Sequence, residues 1–482
     1  MPNPELQVLD PSTLPHLSGR FAPVHTETDA ADLEVEGSLP TDLVGAYVRN
    51  GPNPKFAPLG SYTYPMEGDG MLHAVWIEDG RARYRNRWVE TQGLRAEERA
   101  GRALFGGIMT PAFVDQSLLG NDHDPGWPLK LDAFINVVRH GGRHLALEEG
   151  TPPYEVTSGM ETVGRYDFSG GLPDGMTAHP RIDPVTGEMV VFRYDLTEPY
   201  LTWAAIAADG TVARPATVVP EVDRSIMVHD FTITEHYVVF VMGPAVFDLD
   251  ALTSGGSLLQ YRPELGTRVL LVPRDGLSPT VTFELEAFWV WHFANAYEEA
   301  GPDGGTRVVV DFPWWGRLGL AVKDEGPAPG AFSRLVLDAA GGSHTLTHLD
   351  ELKTEFPRID DRLTGRPHRY LTVGGDVGAG AELLTRGEHN RLLRYDMVAG
   401  TTVDHDPRAS VGEVVFAPRE GSTGELDGYY LTFGTSLDDG RSALYVWDAG
   451  EFPSAPRARV LVPTRVPNGL HGNWFAGDVA PA

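Results

Sequence analysis

The sequence predicts an all-β chain built from antiparallel sheets, a propeller or a sandwich. Three observations carry that reading. Short runs rich in Val, Leu, Ile, Tyr, Phe and Trp recur along the chain. Turn pairs such as Asp79-Gly80, Asp209-Gly210, Asp275-Gly276 and Asp439-Gly440 stand between them, as hairpins require. No long segment of helical period alternates with the runs, which argues against a parallel α/β sheet.

The elements follow in order. Residues 190–194 and 201–206 read as two strands leading into the turn at Asp209-Gly210. Residues 236–241, 267–272, 307–312 and 391–395 read likewise, and 428–433 and 443–447 close the series. Each is rich in β-branched or aromatic residues, which fit a pleated, half-buried surface. Further turns fall at 183–187 and 339–342. Internal similarity is too faint to count blades, so propeller and sandwich both stand on this ground alone.

Composition narrows the class. No long Pro- or Ser-rich run and no charge block divides the 482 residues, so one domain over 1–482 is expected. The 55 Gly and 38 Pro are spread as turn punctuation. The absence of Cys excludes disulfides, thiolate metal ligands and a Cys nucleophile. A net charge of −28 disfavours nucleic acid, which needs a basic stripe, and electrostatic docking onto anionic lipid. Solubility is its simplest reading. There is no basic stretch followed by an apolar one at the N-terminus and no run of 18 apolar residues, so cytoplasmic residence is expected. No Rossmann or P-loop glycine pattern points to a nucleotide cofactor.

Four of the 16 histidines carry the functional signal. His179 lies in Thr177-Ala178-His179-Pro180, His229 in Met227-Val228-His229-Asp230, His292 in Trp291-His292-Phe293 and His471 in Gly469-Leu470-His471-Gly472. A lone His in such a segment is more often a packed or surface residue than a ligand. Four neutral imidazoles without a thiolate, however, suit iron better than a closed zinc site. They are far apart in sequence, so only a closed fold with a central axis could gather them.

The text around these histidines resembles the carotenoid cleavage oxygenase family from about residue 30 to the end. Gly45-Ala46-Tyr47-Val48-Arg49-Asn50-Gly51-Pro52-Asn53-Pro54 is similar to the family's opening motif. Glu67-Gly68-Asp69-Gly70-Met71-Leu72-His73 is similar to its next segment, with Glu67 in place of the usual Asp. The four histidine segments follow in the family's order. Six matches in order are highly specific.

The resemblance implies a seven-bladed β-propeller with a dome of loops and helices over one face, residues 95–128 belonging to the dome. Inner strands of different blades converge on the axis of such a fold. It implies one Fe(II) per chain, held by His179, His229, His292 and His471. Carboxylates should accept the second ring N–H of such ligands, orienting each ring and raising its basicity. The positions that match are Glu149 for His229, Glu355 for His292 and Glu413 for His471, with none for His179. Ile135, 14 residues before Glu149, would limit solvent beside a vacant coordination position. Its own plain reading is a buried Ile.

The implied reaction is cleavage of a conjugated C=C bond by O2 into two carbonyl products. The partners are then an apolar small molecule and O2. Stilbene-cleaving members hold their phenol with a Tyr and a Lys. Those positions fall at Ile108 and Glu148, so a buried phenolate is expected to find no cationic partner. This favours a carotenoid or apocarotenoid, although carotenoid cleavers often carry Trp where Glu148 stands. Lys130 ends what reads as an insertion over residues 116–130. Two alternatives remain: a stilbene or phenylpropenoid cleaver, and a binder or isomerase of apolar ligands that cleaves nothing. Residues 105–113 and 312–322, the latter with Trp314, Trp315, Leu318 and Leu320, have two readings: a monotopic patch making transient membrane contact, or core and tunnel wall.

Overall fold

Alternation decides which face of a strand meets its neighbours. In strand Arg81–Trp88 the side chains of Ala82, Tyr84, Asn86 and Trp88 are buried, while Arg81, Arg83, Arg85 and Arg87 face outward. The hairpin joining it to Met71–Glu78 turns on Asp79 (φ 50°) and Gly80 (φ 71°), the positive pair that a two-residue turn between twisted strands requires. The structure, a computed structural model, describes residues 6–481 except 113, 120–129, 131, 249, 252–257, 302–303, 319–329 and 378–387.

The described residues form seven antiparallel sheets of four to six strands and a separate two-stranded hairpin. The sheets are the blades of a seven-bladed β-propeller. Strands Met189–Tyr194 and Leu201–Ile206 pair within one blade, and Gly428–Ser436 and Ser442–Asp448 within another. Helix is scarce: Gln92–Ala100, capped by Thr91 and ended by Gly101 in the left-handed conformation, is the longest among the described residues. It covers the first part of the expected dome; residues 120–128 of that expectation lie outside the described residues.

The ring closes through both ends of the chain. Gly472–Ala476 pairs antiparallel with Gly45–Arg49 in the first blade, and Val35–Gly37 pairs with Ala458–Leu461 in the last. Core packing lies in wedges between blades. One wedge joins Tyr47, Val75 and Tyr84 to Leu431, Leu444 and Val460; another joins Phe192 and Trp203 to Phe231, Phe240 and Leu270. The apolar payload therefore sits off the axis, and the axis is left to polar groups.

The seam between Gly45–Arg49 and Gly472–Ala476 requires glycine at position 45. Gly45 has φ 153°, and a Cβ there would lie 2.5 Å from the Phe475 carbonyl oxygen and 2.6 Å from the Trp474 ring. Gly45→Ala is expected to destabilise the protein by about 2–3 kcal/mol through this clash and backbone strain. Chemical denaturation checks it; an unchanged midpoint would contradict the closure.

Candidate metal centre

Each of the four histidines precedes the first strand of a blade or the closing strand. His179 comes just before Arg181–Ile182, His229 before Thr232–Ile233, His292 before Asn295–Ala300 and His471 before Gly472–Ala476. Strands that begin at the axis deliver these residues to one place. Ring nitrogens of His179, His292 and His471 lie within 4.8 Å of one another. The His229 ring stands 4.6 Å from that of His179 and 5.2 Å from that of His292, centroid to centroid. The fold thus gathers all four rings, three of them with nitrogens in the tighter group.

Behind three rings stands a carboxylate. His229 Nδ1 meets Glu149 Oε2 at 2.6 Å, His292 Nδ1 meets Glu355 Oε2 at 2.6 Å, and His471 Nδ1 meets Glu413 Oε1 at 2.9 Å. Each bond fixes the ring and engages Nδ1, so Nε2 is the nitrogen left for a metal. Among the described residues no carboxylate bonds the His179 ring, although its backbone N–H donates to Thr177 Oγ1 at 3.0 Å.

The glutamates are themselves held, by partners that differ. Tyr194 donates its hydroxyl to Glu149 Oε1. Trp315 Nε1 donates to Glu355 Oε1 at 2.8 Å, and the Phe356 N–H donates to Glu355 Oε2 at 3.0 Å. Arg358 donates to Glu413 Oε2 at 3.0 Å and to the Gly472 carbonyl at 3.0 Å. Phe356 has φ 53° beside a register shift in its strand, an unusual conformation that stacks its ring on His292 at 5.5 Å.

Sequence reasoning missed these holders, although Arg358 stands three residues after Glu355 and Trp315 lay in a segment already singled out. Trp315 and Trp314 are half-buried, Trp314 packing its ring on His348 at 4.7 Å, and Leu318 is buried. Leu320 lies outside the described residues. A further clip was also missed. Arg181 donates to Asp230 Oδ2 at 2.6 Å and to the Phe231 and Phe293 carbonyls, and Asp230 accepts the Phe293 N–H at 2.9 Å. It ties together the segments that carry His179, His229 and His292.

Protonation follows from these contacts. Burial, together with three neighbouring imidazoles, drives His179 well below its usual range, so it is neutral. Burial also lowers His292, but the Glu355 charge outweighs it and the net shift is upward. Glu355 is correspondingly lowered: burial raises it, and His292 and the bonds from Phe356 and Trp315 overcome that. Glu413 falls to about 2, because Arg358 and His471 outweigh burial. His471 stays low through burial, only partly offset by Glu413, whose charge Arg358 already shares.

The donor set fits a divalent cation. Nε2 of His179 and of His292 are buried with no hydrogen-bond partner, an expensive state for a ring nitrogen unless something is bound there. Three buried carboxylates, one of them offset by Arg358, leave about the charge that a dication would neutralise.

A cavity of about 270 Å³ extends as far as Glu149, the carboxylate behind His229; none of the four histidines is among its lining residues. Glu149 and Tyr194 lie on its inner wall; Phe56, Leu59, Phe105 and Phe134 supply apolar lining. Ile108 and Glu148 also line it, Ile108 donating its N–H to Glu67 Oε2 at 3.0 Å. Ile135 is buried, and its carbonyl accepts the His471 N–H at 3.1 Å. Among the described residues two cations stand on the cavity wall, both already paired: Lys130 is held by Asp69 and, at 2.7 Å, by Glu97, and Arg193 meets Asp195 at 2.6 Å.

Residues 21–476 match the family model described as retinal pigment epithelial membrane protein. A carotenoid cleavage oxygenase of Mycobacterium tuberculosis is 34% identical over 516 aligned positions, covering 95% of this chain and 97% of that one. The crystal structure of Pseudomonas brassicacearum lignostilbene dioxygenase superposes with a TM-score of 0.85 at 28% identity, covering 99% of this chain and 100% of the other. Cobalt-substituted Synechocystis ACO gives a TM-score of 0.78 at 28% identity, over 94% and 97% of the two chains.

Two substitutions probe the centre. His292→Ala is expected to lose bound metal on desalting, read by elemental analysis. Glu355→Gln should keep the fold and lower metal affinity or turnover by roughly 10–100-fold; unchanged affinity and kinetics would show that the carboxylate behind His292 has no such role.

Proposed function

This chain belongs to the carotenoid cleavage oxygenase family and is an oxygenase, and from that premise we propose that it is a ferrous-iron dioxygenase cleaving a C=C bond of a conjugated apolar substrate, a carotenoid or apocarotenoid. The observation that carries this is the axial group of imidazoles, three backed by glutamate, beside an aromatic-lined cavity. His179, His229, His292 and His471 would hold one Fe(II). When bound, the iron supplies activation of O2 that a closed-shell protein group cannot.

The chain's own residues do the rest. Glu149, Glu355 and Glu413 keep the Nδ1 protons on the ring side away from the metal and aim each Nε2 inward. Buried Ile135 and Phe356 exclude water around the site. Phe56, Leu59, Phe105 and Phe134 seat the alkene by apolar contact and select the bond presented to the metal. The balance is simple: R–CH=CH–R′ + O2 gives RCHO + R′CHO, the double bond breaking and each carbon taking one oxygen atom. No protein nucleophile or general acid is consumed.

A second reading, cleavage of a hydroxylated stilbene, is favoured by one observation, the polar wall of Lys130, Asp132 and Glu148 inside the cavity. Incubating Fe(II)-loaded protein in labelled O2 with carotenoids, apocarotenals and hydroxystilbenes separates them. Two aldehydes from a polyene, each carrying one labelled oxygen, are expected. Aldehydes from stilbenes alone would transfer the assignment to phenolic alkenes, and ligand binding without O2 uptake would overturn cleavage altogether.

A further inference from the structure

One wall of the cavity is built unlike the rest, and its polar groups are incompletely satisfied. Asp132 is 4% exposed, and its Oδ1 is buried without a hydrogen-bond partner. The nearest cation, Lys130 Nζ, is 3.9 Å away and is already engaged by Asp69 and Glu97. The Asp132 N–H donates to Glu148 Oε2 at 2.8 Å, and Thr151 Oγ1 donates to the same oxygen at 3.2 Å. Among the described residues no hydrogen bond reaches Glu148 Oε1. Both side chains line the cavity, and Glu148 is the immediate neighbour of Glu149, which holds His229.

We propose that Asp132 and Glu148 form a polar subsite that takes a neutral hydroxyl group at one end of the alkene substrate. This rests on the reading above that the cavity is the substrate's. A hydroxyl both donates and accepts, so it can bond the Asp132 oxygen and Glu148 Oε1 together. A hydrocarbon end in the same place would leave Asp132 Oδ1 and Glu148 Oε1 without a partner. An anion would meet Asp69 and Glu97 with no free cation among the described lining residues to balance it, because Lys130 is neutralised by those two and Arg193 is paired with Asp195 at 2.6 Å. Burial supports the pairing chemistry: it pushes Glu148 up to about 8 and raises Asp132 as well, favouring in each the protonated form, which has an O–H to donate as well as a carbonyl oxygen to accept.

The same hydroxyl chemistry could come from a ring-hydroxylated apocarotenoid or from a hydroxystilbene, and the test separates them. Equilibrium binding is measured without O2 for two pairs: an apocarotenal with and without a ring hydroxyl, and a stilbene with and without a 4-hydroxyl. The hydroxylated member of at least one pair should bind about tenfold tighter or more. Asp132→Leu should bring that ratio close to one, Glu148→Met should reduce it, and Asp132→Asn, which keeps a neutral donor and acceptor, should retain it.

Equal affinity within both pairs overturns the proposal, as does an undiminished ratio in both Asp132→Leu and Glu148→Met, or no binding by any of the four compounds. Circular dichroism of each variant verifies that it is folded. A hydroxyl preference with no aldehyde formed in air would overturn the reaction proposed above while upholding the subsite.

Discussion

Everything at the centre depends on the bond between a histidine Nδ1 and a glutamate behind it. An imidazole has two nitrogens, and only one can face a metal. Fixing Nδ1 on Glu149, Glu355 or Glu413 at 2.6–2.9 Å decides the tautomer, the ring plane and the direction of Nε2 together. The glutamates need their own anchors, because a buried carboxylate free to rotate would not orient anything. Tyr194, Trp315 and Arg358 supply them from three different parts of the fold. Among the described residues no carboxylate bonds the His179 ring, and its segment is instead pinned by Arg181 to Asp230.

The propeller makes this arrangement affordable in packing terms. Its core lies in wedges between blades, so the axis can hold charged groups without opening a hole in the apolar interior. Closure at both chain ends matters for the same reason. His471 sits directly before the strand that zips onto Gly45–Arg49, and its carbonyl accepts the Asn50 N–H. Loosening the seam would loosen one of the four imidazoles.

Much of the fold was legible in the sequence because strands declare themselves through local alternation. Residues 201–206 read as a strand with the bounds Leu201–Ile206 that the structure has, and the Asp79-Gly80 turn took the positive φ pair its residues favour. The blade count was not legible from pattern, since blades share a shape rather than a repeated text; it came from family resemblance. The histidine segments were likewise visible as motifs, and the resemblance pointed to the three glutamates that the fold brings to them. What stayed hidden were contacts with no local signature. Trp315 reaches Glu355 from 40 positions away, and Arg181 and Asp230 lay inside quoted motifs without any sign that they face each other. Lys130 and Asp132 stood in or beside a stretch that reads as an insertion and carried no motif, so the polar wall of the cavity emerged only from the packed chain.

The central claim is that four imidazoles, His229 among them, surround one metal ion. Iron-edge X-ray absorption on the Fe(II)-loaded protein, compared with His229→Ala, tests it most directly. The account predicts scattering from four imidazole nitrogens in the intact protein and from three in the variant. Three imidazoles in both, or a carboxylate oxygen in the first coordination shell of the intact protein, would contradict it.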